Sequence, residues 1–287
     1  METTIKSFLD YLEKDKKYSP NTRLSYQGDL AQFDSFTKTA SRSSGDSMDY
    51  VADKEVLAHY LQTLNDKGYS VSTVARKIAS VKSYIRYLVE IGKLKDDSAP
   101  SISSPQVNKP LPKTLTIAEV RSVLAEPAKS TAIEAKRDRA MLELLYATGL
   151  RATELMNLNT NDIDLDRCIV NCKGNGSKLR VISIDEYISR ILREYMKESR
   201  LKLTNNQNES ALFLNMRGER LTRQGFWQII QGYADKVGLG NKVTPRSLRH
   251  SFAIHRLKNG EDLHTMQELL GHAHISTTKV YKEVGAR

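Results

Sequence analysis

The sequence predicts a mainly α-helical protein with a small β-sheet, organised as two domains. Helical periodicity of apolar residues dominates both halves of the 287-residue chain. A proline-rich stretch interrupts that periodicity near residue 100. Two β-rich runs, RCIVNC and LRVISI, flank the glycine-containing loop KGNGSK in the second half and predict a single β-hairpin.

The N-terminal part is predicted to be helical throughout. Ser19 and Pro20 form a helix start, with serine as the cap and proline at the first helical position. A longer helix over residues 70–94 carries an apolar stripe formed by Val74, Ile78, Val81, Ile85 and Leu88. Basic residues lie off this stripe, at Arg76, Lys77, Lys82 and Arg86. They predict either a solvated basic face or a helix that lies against DNA.

Proline marks the domain boundary. Four of the seven prolines fall within residues 96–116, at Pro100, Pro105, Pro110 and Pro112. Proline removes amide donors and restricts the residue before it to extended shapes. We therefore predict a helical DNA-binding domain over residues 1–97, a linker over 98–114 and a second domain over 115–287.

The second domain is predicted to be helical around the hairpin. Thr116 and Glu119 have capping-box spacing, which starts a helix. A further helical stretch ends at Gly149. The two cysteines, Cys168 and Cys172, lie in RCIVNC, where strand geometry would place them ~13 Å apart, too far for a disulfide. Helices return from about Asp185 to the end.

Composition favours an intracellular protein with a polyanionic partner. The net charge is +10. Residues 101–287 hold 29 Lys and Arg against 20 Asp and Glu, whereas residues 1–100 hold 15 against 14. A basic half of this kind is typical of nucleic-acid binding, although many basic proteins bind none. The sequence contains no window of 18 apolar residues and no secretory leader, so we expect a cytoplasmic location.

A helix over TPRSLRHSFAIHRLKNG carries two arginines. Thr244 caps it and Pro245 takes its first position. Arg246 and Arg249 are three residues apart near the helix N-terminus, where the helix dipole disfavours positive charge. The placement suits an anion held between two guanidinium groups, although pairing with surface carboxylates would also explain it.

The chain ends in LLGHAHISTTKVYKEVGAR. Gly271 is predicted to end a helix, and His272 follows at the turn. Ser276 is predicted to cap the last helix, which would leave Tyr281 near the domain surface. Tyrosine is a possible covalent nucleophile, and nearby cations would favour its ionised form. A buried structural tyrosine is the simpler alternative.

The hairpin loop CKGNGSK places Lys173 at its mouth. The loop lacks the spacing of a nucleotide-binding loop, so we expect no ATP site. A lysine there could reach DNA and protonate a leaving oxygen. The sequence shows no zinc spacing and no acidic cluster for two-metal catalysis, so no metal or other cofactor is expected.

Five segments of the chain, in the order in which they occur, resemble the tyrosine recombinase family, which includes Xer-type recombinases and phage integrases. ATGLRATEL is similar to the first arginine box, and CKGNGSKLRVISI to the lysine-bearing hairpin. TPRSLRHSFAIH resembles the second arginine box, LLGHAHIS the Leu-Gly-His box and TTKVY the nucleophile segment. The resemblance covers nearly the whole chain.

The resemblance implies a metal-free and ATP-free chemistry with six catalytic residues, five of which are described here and the sixth, Arg246, below. Tyr281 would attack a scissile phosphate to give a 3′-phosphotyrosyl enzyme. The other implied roles are clamping of the phosphate oxygens by Arg151 and Arg249, protonation of the leaving oxygen by Lys173, and a hydrogen bond from His272 to the phosphate. Glu154 would orient these side chains. The implied partners are duplex DNA with specific sites and further protomers in a tetramer, which could include a second recombinase.

One residue departs from the family pattern. The second arginine box usually begins with histidine, whereas Arg246 stands there. Arginine is effectively never deprotonated and cannot act as a base, so we expect Arg246 to bind phosphate. Two other functions remain open at this point: a non-catalytic DNA-binding protein, and a topoisomerase-like enzyme that nicks and reseals DNA without exchanging partners.

Overall fold

The computed structural model describes residues 1–40, 48–95, 104–107, 111–174, 179–204 and 208–285. They divide into two compact units, Met1–Lys109 and Pro110–Arg287. Most of the predicted linker lies outside the described residues, and the predicted domain limits stay a prediction. No helix among the described residues is long and apolar enough to cross a membrane.

The described residues of the first unit form a bundle of four α-helices. They are α1 (Glu2–Lys14), α2 (Pro20–Ala40), α3 (Lys54–Asp66) and α4 (Val71–Glu90). The amide of Thr22 donates to Ser19 Oγ at 3.2 Å, which confirms the predicted cap of α2. The whole predicted apolar stripe of α4 is buried in the core of this unit.

The second unit is mainly helical. Its helices are α5 (Ile117–Ala125), α6 (Ile133–Thr148), α7 (Ala152–Asn157), α8 (Glu186–Glu194), α9 (Leu201–Leu203), α10 (Arg223–Lys236), α11 (Pro245–Lys258), α12 (Leu263–Leu270) and α13 (Ile275–Gly285). The capping box of Thr116 and Glu119 at α5 is confirmed. Gly149 and Gly271 end α6 and α12 in the left-handed conformation, at φ +60° and +61°.

A three-stranded antiparallel sheet interrupts the helices. Its strands are β1 (Ile163–Asp164), β2 (Ile169–Lys173) and β3 (Leu179–Ser183), in the order β1-β2-β3. Cys172 pairs with Arg180 across the predicted hairpin. The expectation that both cysteines lie on one strand is wrong, because Cys168 has φ +54° and precedes β2. Both cysteines are free thiols, and Cys172 is buried.

Residues from three helices form a small apolar cluster beside the main core of the second unit. Its members are Phe252, Ala253, Ile254, Met266, Leu270 and Tyr281. The cluster packs α11, α12 and α13 together. It therefore brings the C-terminal tyrosine beside the arginine-bearing helix α11.

Candidate active site

Tyr281 lies on α13, and its side chain is part of this apolar cluster. Only 4% of the residue is exposed, so the expectation that it lies near the domain surface is wrong. The reason is that α13 begins at Ile275, before the predicted cap Ser276, and packs against α11. Burial raises the pKa of the phenol, whereas the charges of nearby arginines, Arg249 first, act to lower it.

Arg249 reaches the same place from α11 and is buried, with 7% exposure. Its Nη1 donates to the carbonyl oxygen of Gly149 at 2.5 Å, and its Nη2 donates to that of Leu270 at 2.7 Å. Burial, followed by the charge of Arg151, lowers the pKa of the guanidinium to about 10. Arg249 therefore remains a cation at neutral pH, held mainly by neutral groups.

His272 links Arg249 to the tyrosine. Nη2 of Arg249 lies 3.2 Å from His272 Nε2, and the histidine ring stacks on Tyr281 with ring centroids 6.1 Å apart. His272 Nδ1 lies 3.0 Å from Thr278 Oγ1 on α13. Because a guanidinium has only donors, His272 Nε2 accepts the hydrogen bond from Arg249 Nη2. Burial and then the charge of Arg249 lower the pKa of His272 to about 4, so the ring is neutral.

Arg151 precedes α7, and its side chain turns towards the Gly271 end of α12. Its Nη2 donates to the carbonyl oxygen of Gly271 at 2.9 Å, and its Nη1 donates to Glu154 Oε1 at 2.6 Å. The side chain keeps 30% of its surface exposed. Arg151 and Arg249 therefore both bond to the C-terminal end of α12, through Gly271 and Leu270 respectively.

Glu154 is buried and ion-paired with arginines. Burial raises its pKa, but hydrogen bonds from the Arg180 side chain and the Arg151 backbone amide outweigh it and bring the pKa to about 2. Arg180, on β3, was not predicted as a site residue. In the sequence, Arg180 is distinguished only as a charged residue inside a β-rich run. Such residues are common on half-exposed strands, so this pattern does not indicate a site residue.

A second residue missed by the sequence reasoning, His250, contacts the tyrosine directly. Its Nδ1 lies 2.7 Å from Tyr281 Oη. Arg246, one turn earlier on α11 and exposed, donates from Nε to His250 Nε2 at 3.1 Å. The spacing of four residues between Arg246 and His250 was the available signal.

Lys173 lies at the exposed end of β2 and pairs with Leu179. Residues 175–178 of the predicted hairpin loop KGNGSK lie outside the described residues. Within the described part of the chain, no hydrogen bond or ion pair joins Lys173 to Tyr281 or the arginines. The structure therefore brings five of the six predicted catalytic residues together, and places Lys173 on the neighbouring hairpin.

The basic residues of α4 do not share one exposed face. Lys77 is buried, and its Nζ donates to Asp29 Oδ1 at 3.0 Å and to Gln32 Oε1 at 2.6 Å. The prediction that Lys77 belongs to a solvated or DNA-facing side of α4 is therefore wrong, because α2 covers it. Arg76 is exposed but also ion-paired with Asp29. Lys82 is half-buried, and Arg86 is exposed.

The second unit thus contains a phenol surrounded by cationic side chains. Arg246, Arg249 and Arg151 all act electrostatically on Tyr281. Such a set can hold an anion against a nucleophilic oxygen and stabilise negative charge that develops during its reaction. The described residues contain no group of three or more His, Cys, Asp or Glu side chains able to hold a metal ion.

Two family models match the chain. The model described as "Phage integrase family" matches residues 113–286, and the one described as "Phage integrase, N-terminal SAM-like domain" matches residues 5–92. The first match alone covers more than half of the chain. It contains every residue of the candidate site.

Curated relatives resemble the chain over nearly its full length. Tyrosine recombinase XerC from Herpetosiphon aurantiacus is 42% identical over 284 residues, which cover 99% of this chain and 91% of the relative. Tyrosine recombinase XerD from Listeria innocua is 40% identical over 285 residues, covering 99% and 95%.

Solved structures share the fold. The XerH site-specific recombinase bound to a palindromic difH substrate, in a post-cleavage complex, has a TM-score of 0.75 at 23% identity, covering 96% of this chain and 80% of that one. A lambda integrase dimer bound to a COC′ core site has a TM-score of 0.71 at 15% identity, covering 98% and 77%. At these identities the likeness concerns the fold alone.

Proposed function

The chain belongs to the phage integrase family of tyrosine recombinases, and from this premise we propose that it is a site-specific DNA recombinase. It cleaves and rejoins DNA through a covalent 3′-phosphotyrosyl intermediate, without metal or ATP. Its identity of about 40% to XerC and XerD proteins over the full chain supports an Xer-like enzyme.

One observation carries the proposal: a phenol oxygen and two guanidinium groups converge on the Gly271–His272 turn. Arg151 bonds to Gly271 O, Arg249 bonds to His272, and the His272 ring stacks on Tyr281. A purely structural tyrosine would not need a buried arginine such as Arg249, whose charge is held mainly by carbonyl oxygens. The arrangement fits one backbone phosphate placed beside a nucleophile.

In the proposed cleavage step, Tyr281 Oη attacks the scissile phosphorus. The bond from Oη to phosphorus forms as the bond from phosphorus to the 5′ oxygen breaks. The products are a phosphotyrosine on the 3′ side and a free 5′ hydroxyl. Rejoining is the reverse attack by a 5′ hydroxyl, so the energy of the broken bond is kept and no nucleotide is needed.

Arg151 and Arg249 are proposed to bind the non-bridging oxygens. Both have N–H groups that their present bonds do not use, since a guanidinium carries five. They would stabilise the charge that collects on these oxygens in the transition state, the role that a metal ion has in other phosphoryl-transfer enzymes. Glu154 is proposed to orient Arg151, to which it is already bonded.

Lys173 is proposed to protonate the leaving 5′ oxygen from the hairpin. His272 is proposed to donate a hydrogen bond to the phosphate. In the DNA-free arrangement its Nε2 accepts a bond from Arg249. Donation to the phosphate therefore requires Arg249 to turn its N–H group to the phosphate and the proton of the His272 ring to lie on Nε2 instead of Nδ1. Arg246 is proposed to contact the same phosphate from the exposed side of α11.

The proposed partner is duplex DNA with a specific recombination site, as for the DNA-bound XerH and lambda integrase structures. Recombination requires two such sites, and we propose that two protomers bind each site to form a tetramer on DNA, which could include a second recombinase. Arg76, Lys82 and Arg86 remain proposed DNA contacts of the first unit. We further propose a cytoplasmic location and a role in chromosome partition.

Covalent capture tests the proposal. DNA selected for binding from a random pool supplies the site. A version of that site with a nick close to the cleavage position traps the intermediate, because the short fragment that bears the new 5′ hydroxyl diffuses away. The parent protein should form an SDS-resistant adduct with one DNA strand, and Tyr281→Phe should bind the same DNA without forming it. Adduct formation by Tyr281→Phe, or none by the DNA-bound parent, would contradict the proposal.

A further inference from the structure

His250 is positioned against the proposed nucleophile by two hydrogen bonds, one on each ring nitrogen. Nδ1 lies 2.7 Å from Tyr281 Oη, and the two rings are 5.3 Å apart at 52°. Nε2 lies 3.1 Å from Arg246 Nε on the same helix. His250 therefore lies between an exposed arginine and a buried phenol.

The hydrogen bond from Arg246 determines which ring nitrogen of His250 carries the proton. A guanidinium has only N–H donors, so the lone pair of His250 Nε2 must accept the bond from Arg246. A neutral imidazole has one donor and one acceptor nitrogen. Nδ1 is consequently the protonated nitrogen, and it donates to the oxygen of Tyr281.

The surroundings keep this ring neutral. Burial, followed by the charges of Arg246 and Arg249, lowers the pKa of His250 to about 4. A doubly protonated ring would also direct an N–H group at the N–H group of Arg246. At neutral pH, His250 therefore holds one proton, on the side of the tyrosine.

We propose that His250, held by Arg246, is a catalytic hydrogen-bond donor to the Tyr281 oxygen rather than the base that removes its proton. Arg246 itself stands where the second arginine box of the family usually has histidine. The inference rests on the proposed function, because it assigns a further residue to that reaction.

The proton balance follows from this assignment. On cleavage, the phenol proton leaves to a water molecule, Oη bonds to phosphorus, and the 5′ oxygen takes a proton from Lys173, which water then replenishes. His250 keeps its Nδ1 proton throughout. On rejoining, the 5′ oxygen bonds to phosphorus and its hydroxyl proton leaves to water as the phosphorus–Oη bond breaks. The phenolate leaves with its charge stabilised by the Nδ1–H donor and then takes a proton from water.

The donor acts together with the other charged and titratable groups around the phenol. Those groups are Arg246 and Arg249 on α11, Arg151 before α7, and His272 after α12. Their positive charges favour the phenolate, in opposition to burial. His250 adds the hydrogen bond made at the oxygen itself.

Two substitutions separate donation from packing. In His250→Asn the amide nitrogen occupies the same number of bonds from the backbone as Nδ1 and keeps a donor there. His250→Phe fills the space without a donor. A matched control is His255→Phe, because His255 lies on the same helix and bonds to Tyr146 Oη at 2.8 Å through its own Nδ1, away from Tyr281.

Single-turnover cleavage of the nicked substrate, measured from pH 6 to pH 10 at saturating protein, is the test. We expect His250→Phe to cleave about 100-fold more slowly at neutral pH, as for loss of an oxyanion donor. The deficit should shrink as pH rises, since the phenol then ionises without help. His250→Asn should stay within about tenfold of the parent, and His255→Phe should match the parent. A band-shift assay confirms that each variant binds DNA.

Three results would overturn the inference. One is cleavage by His250→Phe at the parent rate. Another is His250→Asn as slow as His250→Phe, which indicates a base. The third is a deficit of equal size at every pH, which indicates packing. If the DNA-bound parent forms no adduct, the proposed recombinase function fails as well, so the two failures are distinguishable.

Discussion

Glu154 accepts two parallel hydrogen bonds from Arg180, from Nη1 to Oε1 at 2.9 Å and from Nη2 to Oε2 at 2.8 Å. The same carboxylate accepts from the Arg151 side chain at 2.6 Å and from the Arg151 backbone amide at 2.7 Å. One buried carboxylate thereby ties β3 to the start of α7. It also fixes the guanidinium that the proposed reaction uses.

This carboxylate predicts a pH-dependent stability. The pKa of Glu154 falls from 4.5 to about 2 on folding, so its contribution is present above pH 4.5 and is lost as pH drops through 2. The contribution is about 3 kcal/mol. In urea titrations of the full chain, Glu154→Gln should be less stable than the parent at pH 7, and the gap should close towards pH 2. Glu194→Gln, in an exposed pair with Lys136, should change stability by less than about 1 kcal/mol.

Gly271 is predicted to tolerate no side chain. Its φ is +61°, and a Cβ atom there would lie 2.6 Å from Arg180 Nη1 and 3.7 Å from Arg151 Nη1. Gly271→Ala should lose about 1–3 kcal/mol of stability from the backbone alone. Displacement of Arg180, which shares the Glu154 carboxylate with Arg151, should also slow cleavage by about 100-fold. Gly260→Ala isolates the backbone effect, since Gly260 has φ +94° and a Cβ atom added there would have no neighbouring atom within 4 Å. Equal cleavage by both variants would contradict the prediction.

Lys77 and Arg86 should behave oppositely, although both are basic residues of α4. Removal of the buried ammonium in Lys77→Met leaves Asp29 partly unpaired and should cost about 3 kcal/mol of stability. The salt dependence of DNA binding should not change. Arg86→Ala should leave stability within about 0.5 kcal/mol but lower the slope of log affinity against log salt by about 0.9. Unchanged stability of Lys77→Met together with a reduced salt slope would instead indicate that Lys77 contacts the DNA.

Arg246 is predicted to matter for cleavage despite its exposure. Arg246→Ala removes both the hydrogen bond to His250 and the proposed phosphate contact, and should slow cleavage of the nicked substrate by about 100-fold. Arg246→His, which restores the family residue, should lie within about tenfold of the parent. Arg256→Ala is the control, an exposed arginine on the same helix paired with Glu261. Cleavage by Arg246→Ala at the parent rate would show that the proposed clamping role is wrong.

Much of the site could be predicted because its residues stand beside strong local signals. Arg151 follows the helix-ending Gly149, His272 follows Gly271, and Arg249 lies in a helix with a clear Thr-Pro start. His250 could not be assigned, because its role depends on where α13 packs. A sequence shows the spacing within one helix but not which neighbouring helix covers each side.

Lys77 illustrates the same limit. The apolar stripe of α4 correctly located one buried side, but α2 covers a further part of the helix and supplies Asp29. The burial of Tyr281 likewise arises from packing against α11 and α12, the two helices that precede α13. Long-range packing decided each of these cases, and local periodicity carries no information about it.

The carbonyl oxygens that hold Arg249 affect the stability of the protein in the absence of a ligand. Gly149 and Leu270 fix the guanidinium in place without cancelling its charge, and Glu154 approaches it only to 3.8 Å. The free protein thus bears an electrostatic cost that an incoming oxyanion relieves. Simple ions such as sulfate should therefore raise its melting temperature, and Arg249→Met should abolish that protection.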